Sequence, residues 1–213
     1  TRGVVLHRKD GHRYVVEETA SPITDRHGHL NGAVMVLHDV TETMALAERM
    51  ARLAQYDALT DLPNRVLLQD RARQALALAR REGKSLAVMY IDLDGFKQVN
   101  DRLGHDLGDE LLVQFARRMQ AAVRQSDTVC RQGGDEFVVL LPGLDGPQQS
   151  TVVARKVLAV CQAPFDLQGH EVRVGLSAGL ALFPQHGSAF EELARHTDTA
   201  MYAAKRSGRM EVR

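Results

Sequence analysis

The chain has 213 residues, 44% of them hydrophobic and 25% charged, which is enough apolar material for a sizeable core and excludes a disordered tail or a mini-protein. Lys plus Arg and Asp plus Glu number 27 each, so no overall basic field draws in nucleic acid or an anionic membrane. Any phosphate must be bound by a local site. Two cysteines, Cys130 and Cys161, make no disulfide framework, and the longest apolar run, Leu86 to Ile91, falls far short of the roughly 20 residues that cross a bilayer. A cytoplasmic segment is expected, with neither nucleic-acid nor membrane contact. The start at Thr1, without Met or a signal-peptide pattern, reads as a piece of a longer parent that could be anchored elsewhere.

In chain order, Val4 to His7, Tyr14 to Glu18 and Ala33 to Val40 read as strands, with a turn at Asp10-Gly11 and a loop holding Pro22 and Gly28. Thr41 to Tyr56 then reads as a helix capped by Thr41, with Leu46, Met50 and Leu53 in one narrow stripe that suits pairing with another helix, as in a dimerising linker, or packing as core against a sensor domain. From Asp57 onward helices and strands alternate. Asn64 to Glu82 is a helix stopped by Gly83, and Ser85 to Leu93 is a nearly all-apolar strand that belongs mid-sheet. A helix from Phe96 to Leu103 is broken by Gly104 and Gly108 and resumes from Asp109 to Gln125. Thr128 to Arg131 and Glu136 to Leu141 flank a glycine turn as a hairpin. Helix Gln148 to Cys161, strands Phe165 to Leu167 and Val172 to Phe183, and helix Phe190 to Arg206 complete an α+β, ferredoxin-like order.

Two acidic constellations stand out. Asp92-Leu93-Asp94 ends the apolar strand, and side chains two apart on a strand share a face, so both carboxylates project the same way at the sheet rim. Alone, that pattern is better read as a solvated turn. Asp135-Glu136 follows Gly133-Gly134, whose missing side chains let a phosphate or metal approach the backbone; alone it is an ordinary tight turn. If the hairpin lies beside the Asp92 strand, the converging carboxylates call for a divalent cation, and hard oxygen ligands point to magnesium with a nucleotide triphosphate. Spacing does not establish that adjacency.

Six ordered blocks carry a more specific signal: Asp57-x-Leu59-Thr60-x-Leu62-Pro63-Asn64-Arg65, Asp92-x-Asp94-x-Phe96-Lys97-x-x-Asn100-Asp101, Gly104-His105-x-x-Gly108-Asp109, Arg131-x-Gly133-Gly134-Asp135-Glu136-Phe137, Ser177-x-Gly179, and Met201-Tyr202-x-Ala204-Lys205-x-x-Gly208-Arg209. Together they resemble the GGDEF domain of diguanylate cyclases. Gly95, where that family often has an aromatic, is a mild departure. Residues 1–40, with Asp10-Gly11, Pro22-Ile23-x-Asp25 and Asp39-Val40-Thr41-Glu42, look like the last strands of a PAS sensor domain. The division expected is therefore PAS remnant 1–40, helical signalling linker 41–56 and GGDEF domain 57–213. The fold implied is a cyclase or polymerase-palm-like antiparallel sheet with helices, behind a partial PAS sheet.

The resemblance implies condensation of two GTP molecules into cyclic di-GMP with release of two pyrophosphates, by two-metal phosphoryl transfer with Mg2+ or Mn2+ in a homodimer. It assigns Asp135 and Glu136 to catalysis. Asp92, the Leu93 carbonyl, Asp135 and Glu136 become metal ligands, with the roles of Asp135 and Glu136 left undivided. Lys205 and Arg209, four apart on one helix face, go to the β- and γ-phosphates with Lys97 nearby; Phe96, Gly133 and Gly134 complete the substrate site, and Asn100 and Asp109 read guanine. Arg124-Gln125-Ser126-Asp127, five residues and more before Gly133, matches the family's inhibitory product site, where Arg124 and Asp127 would bind cyclic di-GMP; in isolation it is a surface ion pair. A binding module that holds GTP or the cyclic product without turnover, possibly ahead of a phosphodiesterase domain, stays open as the alternative. His27-Gly28-His29 lacks the cysteine or carboxylate partners of a zinc site.

Overall fold

The computed structural model describes residues 4–207 and divides into two compact units, Thr1–Ala54 and Gln55–Arg213. The first holds β1 (Val4–His7), β2 (Arg13–Thr24) and β3 (Leu30–Asp39), an antiparallel sheet in the order β1-β2-β3, followed by α1 (Thr41–Gln55). β2 runs on through Pro22, which the sequence places in a loop. Among the described residues β1 pairs with Arg13 to Val16, and Pro22 sits in the β2-β3 ladder opposite Ala33. The cap of α1 also differs from expectation: Asp39 Oδ1 accepts from the Thr41 amide at 3.0 Å and from its hydroxyl at 2.6 Å, while Thr41 Oγ1 accepts from the Val15 amide. Val16 is buried, whereas Val34, Met35, Val36 and Leu37 in β3 and Leu46, Met50 and Leu53 in α1 are exposed.

The second unit holds α2 (Arg65–Glu82), β4 (Ser85–Asp94), α3 (Phe96–Leu103), α4 (His105–Ala122), β5 (Thr128–Gly133), β6 (Glu136–Leu144), α5 (Pro147–Ala159), β7 (Phe165–Leu167), β8 (His170–Val172), β9 (Gly175–Phe183) and α6 (Phe190–Ser207). Asn64 caps α2 by accepting from the Val66 and Leu67 amides, and Gly83 ends it at a φ of 66°. Four strands form an antiparallel sheet in the order β5-β6-β4-β9, and β7-β8 is a separate hairpin. The expected strand from Val172 to Phe183 is thus two strands, divided at Arg173 and Val174, because Val172 pairs with Phe165 while Gly175 pairs with Asp94.

The alternation of β4 sorts its side chains onto two cores. Ala87, Met89, Ile91 and Leu93 pack with Phe115 and Phe137 on the face covered by α4, the two rings 4.8 Å apart edge to face. Leu86 and Val88 pack on the other face with Leu68, Ala72 and Leu76 of α2 and Leu193 of α6. By the same alternation Asp92 and Asp94 project on the α2 and α6 side. Cys130 and Cys161 are buried, and burial pushes both thiols up to about 12, so neither is a ready thiolate. Among the described residues no helix is long and apolar enough to cross a membrane.

Candidate active site at the end of strand β4

Asp92 lies directly opposite Glu136 on β6 and Ser177 on β9, so the register brings the acidic hairpin to the end of the apolar strand. The hairpin tip is held there: the Leu93 amide donates to the Asp135 carbonyl at 3.3 Å. Gly133 and Gly134 have φ of 149° and 52°, with open space where a Cβ would stand. Burial, then the charge of Asp92, raises the Asp135 carboxyl above its ordinary range, against the opposing pull of Lys205 and Arg131. Two carboxylates therefore feel each other at this point, and Glu136 beside them is exposed. Asp94 is engaged otherwise, accepting from the Ser177 hydroxyl at 3.0 and 3.1 Å. That partner is 83 residues away and had no signal beyond its own motif.

Lys205 lies in the last turn of α6, and its ammonium is 2.7 Å from Asp92 Oδ2. Helix α6 can come this close because Gly179 carries no side chain: a Cβ there would overlap the Thr197 carbonyl and the Met201 amide. The residue expected to hold phosphate thus rests on a residue expected to hold metal. Arg209 lies outside the described residues. Lys97 is exposed at the start of α3. Among the described residues no three acidic, histidine or cysteine side chains are gathered closely enough to hold a metal. The chemistry of the donors nonetheless fits a hard divalent cation: the Asp92 charge bears on Asp135, and a cation, the Lys205 ammonium, already sits on Asp92.

Arg131 supports the hairpin from behind, a role the sequence reading did not assign. Its guanidinium donates to both Asp57 carboxylate oxygens at 2.9 and 3.1 Å and to the Gly134 carbonyl at 3.0 and 2.9 Å. Burial works against the ionised Asp57, but the Thr60 hydroxyl and amide and the Arg131 charge outweigh it and hold that carboxyl below the usual range. Asp57→Ala should cost about 2–3 kcal/mol, since it leaves a guanidinium only 11% exposed without its carboxylate. Thermal unfolding of the variant checks this. The pH sign follows from the lowered value: the Asp57 contribution is present above the ordinary Asp pKa and is lost as pH falls through the folded one, so the two proteins should converge in acid.

The corner between α3 and α4 differs from the expected helix break. Gly104, at a φ of 89°, makes the turn, but α4 starts at His105 and Gly108 lies inside it. Gly108 is required for closeness rather than for a turn: a Cβ there would overlap Asn100 Oδ1, with Phe96 Cε2 at 3.5 Å. Asn100 Oδ1 is buried and has no hydrogen-bond partner, while Asp109, the residue after Gly108, is exposed. At the other end of α4, the Arg124 amide donates to Asp127 Oδ2 at 3.0 Å. A cavity of about 190 Å³ opens there, lined by Arg124, Gln125, Asp127, Thr128 and Arg71, the last reaching in from α2 to donate to Thr128 Oγ1. A larger cavity of about 700 Å³ lies between α3 and the β7-β8 hairpin; it takes in Asp94, Arg102 and Arg173 but not Asp92, Asp135, Asn100 or Lys205. In the loop between β2 and β3, His29 is taken up by Asp25, a carboxylate partner the sequence reading missed.

A family profile described as diguanylate cyclase, GGDEF domain, matches residues 54–211. The bifunctional diguanylate cyclase/cyclic di-GMP phosphodiesterase MucR of Pseudomonas aeruginosa is 46% identical over 168 residues, covering 78% of this chain and 24% of the relative. The probable diguanylate cyclase DgcE of Escherichia coli is 37% identical over 209 residues, 98% of this chain and 19% of the relative. The chain thus spans about a quarter or less of these relatives. Among solved structures, the GGDEF domain of YfiN (TpbB) from Pseudomonas aeruginosa superposes with a TM-score of 0.71 at 43% identity, covering 72% of this chain and 96% of that one. The coiled coil and GGDEF domain of DgcB from Caulobacter crescentus, solved with c-di-GMP, superposes with a TM-score of 0.71 at 26% identity, over 81% of this chain and 92% of that one.

Proposed function

The chain belongs to the diguanylate cyclase GGDEF domain family, and on that premise we propose that it joins two GTP molecules into cyclic di-GMP and releases two pyrophosphates. The observation that carries this is the meeting of Asp92 and Asp135 at the end of β4, with Lys205 reaching the same point. In each half-reaction a ribose 3′ oxygen attacks the α-phosphorus of the other GTP, the bond to the β-phosphate breaks and pyrophosphate leaves. The protein must align the two and take the hydroxyl proton. Asp135 or Glu136 would take that proton, and with Asp92 and the Leu93 carbonyl they would hold magnesium or manganese. Bound there, the metal supplies charge neutralisation at the phosphates and a lower hydroxyl pKa. Lys205, Lys97 and Arg209 bind the β- and γ-phosphates. Gly133 and Gly134 let the nucleotide approach the hairpin backbone, and Phe96 packs at the corner where Asn100 and Asp109 bind guanine.

Two GTP molecules must face each other, which a C₂ homodimer provides. We assign residues 1–40 to the end of a PAS sensor domain, 41–56 to a signalling linker and 57–213 to the cyclase. The antiparallel three-stranded sheet and the exposed Leu46, Met50 and Leu53 stripe support that division. Incubation of the purified chain with GTP and magnesium, followed by chromatography, should reveal cyclic di-GMP, with specific activity rising across the monomer-to-dimer range set by light scattering. GTP binding without product would favour a non-catalytic binding domain instead.

Arg124 and Asp127 form a feedback site for the product. Arg124 can meet a phosphate and a guanine edge, Asp127 can accept from the guanine N1 hydrogen and amine, and Arg71 lines the same cavity. The site is separate from Asp92, so inhibition acts by holding two domains in an unproductive arrangement and should be noncompetitive with GTP. Arg124→Ala should raise product accumulation while initial rates stay near wild type. Equal cyclic di-GMP affinity of the two proteins in calorimetry would overturn this assignment.

A further inference from the structure

We propose that Lys205 keeps the metal-binding end of β4 closed in the nucleotide-free protein by occupying Asp92 as a substitute cation, and that the phosphates of an arriving nucleotide open it by drawing the ammonium away. Metal is then admitted together with the nucleotide and not ahead of it. The inference rests on the assignment of Asp92 as a metal ligand made above.

The geometry favours a moving side chain on a fixed base. Ala204 is fully buried and Gly179 seats α6 against β9, so the backbone that carries Lys205 is held in place. The Lys205 side chain itself is 37% exposed, against 13% for Asp92, so its long stem can swing out without unpacking the core. An ammonium and a divalent cation repel each other and compete for the same carboxylate oxygen. With the ammonium on Oδ2, a divalent cation at Asp92 meets that repulsion at close range. Terminal phosphates of a nucleotide are the stronger anionic partner for the ammonium, being multiply charged where Asp92 carries one charge. Relocating Lys205 therefore frees Asp92 at the moment the phosphates need neutralising. Linkage makes the effect reciprocal: whatever the nucleotide does for metal affinity through this contact, metal does for nucleotide affinity.

The test is Mn2+ binding to the nucleotide-free 213-residue chain, read by the electron paramagnetic resonance signal of free Mn2+. Removing a positive charge from an acidic site usually lowers phosphate affinity; here Lys205→Met should tighten Mn2+ binding about tenfold. Lys205→Arg, which keeps a cation within reach of Asp92, should stay close to wild type. Adding Asp92→Asn to Lys205→Met should abolish the gain, with circular dichroism checking that each variant is folded. If Lys205→Met binds Mn2+ no better than wild type while Asp92→Asn binds it worse, the closing role is wrong and the metal assignment stands. If Asp92→Asn binds Mn2+ as wild type does in both backgrounds, the metal assignment itself has failed.

Discussion

Asp92→Ala and Asp135→Ala should each lower cyclic di-GMP formation at least about a hundredfold, the loss of roughly 3 kcal/mol of transition-state stabilisation that one charge-neutralising contact supplies. The fold should survive, because neither side chain contributes to the two apolar cores. For Asp135 a stability gain is expected alongside the loss of activity. Its carboxyl is raised by burial and by Asp92, so its contribution is favourable below the ordinary Asp value and is lost as pH rises through the folded one. At neutral pH the ionised group is a burden on the metal-free protein, and Asp135→Asn should melt higher than wild type. The difference should shrink as pH falls through the carboxylate range. Near-normal turnover in either alanine variant would sink the assignment, and a lower melting point for Asp135→Asn at pH 7 would contradict the electrostatic account of the site.

What could be read from the sequence was whatever a local pattern determines. The apolar run into Asp92 announced a central strand because only a strand covered on both faces is apolar throughout, and β4 lies between β6 and β9. Gly83 announced a helix stop, and it has the positive φ that a stop requires. Gly108 looked the same in sequence yet serves another need, since a glycine required for close approach to Asn100 is indistinguishable from one required for a turn until the neighbour is known. Pro22 misled for a related reason: whether a proline ends a strand depends on whether its nitrogen owes a ladder hydrogen bond, and Pro22 stays in register opposite Ala33. At the site, the residue types were legible and their pairings were not. Lys205 could be placed on a helix face by its spacing, but the position of that face over Asp92 depends on Gly179 and the packing of α6. Arg131 stands in a motif that carries no mark of its task, because Asp57 is 74 residues away and the bond that joins them leaves no local trace.

GTP should be used in preference to ATP by about 10⁴-fold, and the α3-α4 corner is where that preference should be lost by mutation. Guanine presents an N1 hydrogen and an exocyclic amine as adjacent donors, whereas adenine has an acceptor at N1 and no amine at C2. The corner offers acceptors: the exposed Asp109 carboxylate and Asn100 Oδ1, which is buried and unpartnered. That oxygen is packed against Gly108, so leaving it without a donor costs free energy, and turning the Asn100 amide toward a guanine donor would relieve that cost where adenine would not. Gly108 fixes where that acceptor points, because any side chain there would displace it. Asp109→Ala and Asn100→Ala should therefore reduce the GTP-to-ATP ratio of kcat/KM sharply, by weakening GTP use rather than by improving ATP use. Gly108→Ala should do the same through Asn100 alone, with Asp109 intact. An unchanged ratio in Asp109→Ala, measured with both nucleotides at saturating magnesium, would remove that carboxylate from guanine recognition.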